Sequence, residues 1–68
     1  MKPDAERAAI AIVAQRLSVQ FPDIAPSVVS RVVSDTHQQF ADHPTRDYVP
    51  VLVADAARDR LRVLRSAR

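Results

Sequence analysis

Apolar residues recur along this chain at spacings of three and four. Ile10, Val13, Ala14, Leu17 and Phe21 fall on one side when wound at helical pitch, and they predict a helix over residues 5–20. Asp4 is its expected N-cap, and Glu6 sits in the first turn near the positive end of the helix dipole. Pro22 ends the helix by pushing Phe21 out of the α region. Val29, Val32, Val33, Thr36 and Phe40 repeat the pattern and predict a second helix over residues 26–41, with Pro26 at its first position. Ile24 and Val29 have the spacing of a hydrophobic staple across that start. The many β-branched residues lower helix propensity slightly, and Val28–Val33 alone would read as a strand, but the i, i+4, i+7, i+11 pattern through Phe40 argues for a helix.

The stretch RDYVPVLVADAARDRLRVL, residues 46–64, predicts a third helix over residues 47–65. With Asp47 as N-cap, the preferred reading, Pro50 is the third helical residue and loses no backbone bond; with Thr45 as N-cap it sits deeper and costs one. Val49, Leu52, Val53, Ala56, Ala57, Leu61, Val63 and Leu64 share one arc. That arc takes about half the circumference, well beyond the ~100° stripe a surface helix needs. Asp55 with Arg58, and Asp59 with Arg62, are expected i,i+3 pairs on the opposite side. Ala8, Ile12 and Val19 likewise lie away from the main stripe of the first helix.

Three helices, and no glycine for tight β-turns, predict an all-α three-helix bundle forming one domain over residues 1–68. A lone core in so short a chain supplies only about 3–5 kcal/mol. The chain has no cysteine, which excludes disulfides and thiolate zinc sites. A second chain is the staple that remains. The expected function is therefore non-catalytic self-association as a homodimer through helix 3 and part of helix 1. The expected interface residues are Val53, Ala57, Arg60, Leu61 and Leu64 on the third helix, with Ile12 and Val19 on the first. Leu17, Phe21, Val33, Phe40 and Leu52 are the expected intrachain core.

Charge changes this picture little. The net charge is +2, but residues 1–54 carry −1 and residues 55–68 carry +3. Cations near a helix C-terminus are favourable in their own right. The alternative function is a small helix-turn-helix-like nucleic-acid-binding protein, with Arg58, Arg62 and Arg65 on phosphates. Asp55 and Asp59 interrupt that face, and the helix lacks the Asn and Gln that read base edges, so nucleic acid is the weaker expectation. Arg60, inside the apolar arc, is expected either to snorkel or to pair with an acid from another helix or chain.

Candidate chemistry is sparse. Ser34, Asp35 and His37 crowd one stretch of helix, so their side chains diverge and make no triad. His37 and His43 are six residues apart, a poor spacing for a shared metal. His37 is expected beside the valine stripe and His43 in the loop before Pro44. Without glycine there is no phosphate-cradling loop. No enzyme activity, cofactor or metal is expected. The N-terminal residues do not read as a signal peptide, and no apolar run reaches the ~20 residues that span a bilayer. The expected location is the cytoplasm, without membrane contact.

The run RLSVQFPDIAPSVVSRVV, the aromatic Phe40, and RDYVPVLVADAARDRL together resemble a known family. It is the small three-helix-bundle dimerisation domain of actinobacterial proteins, found also at the N-terminus of some low-molecular-weight protein-tyrosine-phosphatase and arsenate-reductase-like proteins. The resemblance covers residues 9–64. Its most specific parts are Arg16, Leu17, Phe21 and Pro22, and the stretch from Arg46 to Val53. It implies a bundle that pairs with a second copy and has no catalysis of its own. The chain lacks the cysteine nucleophile of the fused members, so their activity does not carry over, and such an enzyme would at most be a partner.

Overall fold

The structure, a computed structural model, describes residues 3–67. It is an all-α three-helix bundle: α1 spans Pro3–Gln20, α2 spans Pro26–Gln39 and α3 spans Val49–Ser66. A 3-10 turn over Arg46–Tyr48 leads into α3. No described helix is long and apolar enough to cross a membrane.

Each boundary has a local cause. α1 begins at Pro3, so Asp4 lies inside the first turn and is not the cap. Phe21, held before Pro22, still donates its N–H to the Leu17 carbonyl at 2.9 Å and closes the last turn. Pro26 opens α2 at a position where no N–H is required. Ile24 and Val29, the staple pair, are both buried in the core. α2 ends at Gln39, two residues before the expected end, because Phe40 leaves the helix at φ −101° and ψ 14°. The N-cap of α3 is Tyr48, since Arg46 to Tyr48 wind more tightly as the 3-10 turn and draw Asp47 into it. Pro50 becomes the second helical residue and again loses no bond.

Leu17, Phe21, Ile24, Val29, Val33, Val49, Val53, Ala57 and Leu61 form the core. Val49, Val53, Ala57 and Leu61 climb α3 at intervals of four and are fully buried. α3 packs on both other helices, so an apolar ladder in its middle is covered from two sides. This corrects the expectation that Val53, Ala57 and Leu61 face a second chain: a side chain with no surface of its own has nothing left to offer one. Of the expected core, Leu17, Phe21 and Val33 are buried, and Phe40 is half-buried against the cluster. Leu52 is half-buried and lies outside the cluster, because it sits to one side of the ladder.

Candidate functional site

What remains exposed defines the candidate sites. Ile12 is 50% exposed, Val19 76% and Val51 58%. Ile12, Val13 and Arg16 of α1 and Val51, Ala54, Asp55 and Arg58 of α3 line an open groove of about 350 Å³. Ile12 and Arg16 also line a second concavity with Val19 on the outer side of α1. The two meet at Ile12 and Arg16, so Val51, Ile12 and Val19 lie along one strip that Arg16, Gln15 and Gln20 interrupt, with Asp55 and Arg58 on its rim. Arg58 reaches Asp55 at 3.2 Å on this rim, as the i,i+3 spacing suggested. The pair expected between Asp59 and Arg62 does not form among the described residues.

A second groove, of about 440 Å³, lies between α2 and α3 and is lined by Val32, Asp35, Asp59, Arg60, Val63 and Leu64. At about 100° per residue, its α3 residues and those of the first groove fall on opposite flanks of the helix. Leu64 therefore faces the α2 side and cannot share one patch with Ile12 and Val19, as the expected interface required.

Arg60 pairs with no acid among the described residues. Its Nη1 donates to Thr36 Oγ1 at 2.9 Å and its Nη2 to Gln39 Oε1, both neutral oxygens of α2. Thr36 is fully buried, and its hydroxyl donates to the Val32 carbonyl at 2.7 Å. Arg60 thus satisfies the second valence of a buried hydroxyl and seams α2 to α3 within one chain.

The densest polar cluster lies at the other end of the bundle and was not anticipated. Arg46 Nε and Nη2 grip Glu6 Oε1 and Oε2 at 3.0 and 2.6 Å. Its Nη1 donates to the carbonyls of Phe40 and Ala41, both at 2.8 Å, just past the end of α2; the Phe40 carbonyl also accepts the His43 N–H at 3.0 Å. His37 Nε2 lies 2.9 Å from Glu6 Oε2, and an ionised carboxylate only accepts, so this nitrogen carries the hydrogen. The Glu6 side chain is only 13% exposed. Hydrogen bonds from Arg46, then from His37, hold its carboxyl below the usual carboxylate value, against a smaller opposing effect of burial. His43 stands apart in the loop, edge-on to Phe40 at 6.1 Å, and accepts the Thr45 N–H at 3.2 Å.

A lowered carboxyl pKa makes Glu6 stabilising above its unfolded-state value of 4.5, with that stabilisation lost as pH falls through the lower folded-state value. Thermal melts of the parent and of Glu6→Gln are therefore expected to differ most at neutral pH and to converge only well below 4.5. A constant gap across that range would show that the charge on Glu6 plays no part.

Of the arginines considered for phosphate contacts, Arg58 pairs with Asp55, and the Arg65 guanidinium lies 4.6 Å above the Phe21 ring. Only Arg62 among these three makes no polar or ring contact within the described residues. Comparison with protein-family models, with curated proteins and with solved structures finds no match for this chain.

Proposed function

We propose that the chain is a non-catalytic, cytoplasmic protein–protein interaction module that pairs with a second copy of itself through the α1/α3 face. One observation carries this reading: Ile12, Val19 and Val51 are exposed along two grooves that share Ile12 and Arg16. It retains the expected elements, helix 3 with part of helix 1, but moves the contact from the buried ladder to its α1 flank. A two-fold contact sets one patch against itself, so a single exposed face supplies both halves of the interface. A contact of ordinary size would take about 800 Å² from each partner, roughly a sixth of the 4754 Å² this chain exposes. The resemblance of the Arg16–Pro22 and Arg46–Val53 stretches to a dimerisation domain points the same way.

Sedimentation across a dilution series tests the proposal. The parent is expected at twice the chain mass. Ile12→Asp and Val51→Asp should each weaken pairing at least about tenfold while leaving helicity intact, since both side chains are already half in water. A parent that is a single chain at high concentration rejects self-association; folded variants that keep the doubled mass reject this face.

A further inference from the structure

We propose that the α2/α3 groove is a separate docking surface for a basic amphipathic helix of another protein. The floor is apolar: Val32 from α2, with Val63 and Leu64, both substantially exposed, from α3. Each wall carries an exposed carboxylate, Asp35 on α2 and Asp59 on α3. Neither has a hydrogen-bond or ion-pair partner among the described residues. The cation at this groove, Arg60, bonds to the neutral oxygens of Thr36 and Gln39 and makes no ion pair with either carboxylate, so the lining keeps a net negative charge.

An apolar floor between two free carboxylates complements a helix whose apolar anchors are flanked by lysine or arginine. The same charges disfavour other occupants. A second copy placed here by a two-fold axis would set a net-negative lining against itself. Phosphate backbones would meet the same repulsion. The α1/α3 strip has the opposite bias, with Arg16 and Arg58 against Asp55. Because the two grooves occupy opposite flanks of α3, a copy on one leaves the other open. A dimer would then display two helix-binding grooves and gain from any partner that offers two helices. The groove's own specificity does not depend on pairing.

The test uses a fluorescent synthetic peptide of about 15 residues, with leucine at helical spacing and lysine beside each leucine, and a counterpart with glutamate in place of lysine. Polarisation should show the lysine peptide binding the parent, more weakly as salt rises. The glutamate peptide should bind at least about tenfold more weakly. The double variant Asp35→Lys/Asp59→Lys should invert that preference, and Val63→Ser should weaken both peptides. All three positions are exposed, so these chains should fold, with circular dichroism as the check. Ile12→Asp should bind the lysine peptide with the parent's affinity per site, which separates this groove from self-association. Absence of binding to the parent, or equal binding by parent and double variant, overturns the proposal. A change in solution mass in the double variant would also overturn it, by assigning the groove to a second copy.

Discussion

Leu61→Asp is expected to leave no folded chain at neutral pH. Leu61 is fully buried, near the end of the α3 ladder and enclosed by α1 and α2. Truncation to alanine alone would cost about 2–5 kcal/mol, comparable to the whole stability of a domain this short. A carboxylate at that position adds several kcal/mol for burying an unpaired charge. Far-UV circular dichroism should show the helical signal lost for Leu61→Asp and kept for Ile12→Asp. A Leu61→Asp chain that melts cooperatively would contradict the placement of Leu61 in the core. For the same reason Leu61→Asp is a poor probe of pairing, since an unfolded chain and a separated dimer both lose the doubled mass.

The second large effect belongs to Arg46. Four of its donor bonds join the start of α1, the end of α2 and the turn that opens α3. Arg46→Ala removes a donor from two carbonyls past the end of α2, of which that of Phe40 keeps the His43 N–H, and leaves Glu6 with His37 alone among its side-chain partners. Hydrogen bonds made by charged groups contribute about 1.5–3 kcal/mol, and the partial exposure of Arg46, at 33%, places the loss toward the lower end. For a domain of this size that lowers the melting midpoint by about 10 °C. Arg46→Lys should recover only part of it, because one ammonium cannot grip a carboxylate side-on and reach two carbonyls together. Combining Arg46→Ala with Glu6→Gln should cost less than the separate effects added. A melt of Arg46→Ala within a degree or two of the parent would reduce the cluster to surface decoration.

The contrast between these two residues shows where sequence patterns stop. Leu61 belongs to a ladder at intervals of four, so its burial was legible, but what buries it was not. The wide apolar arc of α3 suggested a second chain, yet a helix touching two neighbours in its own bundle needs such an arc. The true surplus is confined to the two flanks, at Val51 on one and Val63 and Leu64 on the other. Glu6, His37 and Arg46 gave no joint signal, because 31 and 40 residues separate Glu6 from its two partners. Taken singly, Glu6 was a charge near a helix dipole and His37 a neighbour of the valine stripe. Arg60 stands out in the sequence as a cation in an apolar arc, but nothing in the order of residues pairs it with Thr36, 24 positions earlier.

Sequence alone determined the three helices, their proline-set boundaries to within about two residues, and the stripe each one buries. Those properties depend on backbone geometry and on neighbours three or four positions away, which the order of residues specifies directly. Only the tertiary structure decided which edge of each stripe meets another helix and which meets water. It also decided which distant polar groups close the ends of the bundle. Both depend on how whole helices lie against one another, a choice made by the summed packing of the core rather than by any local run of residues.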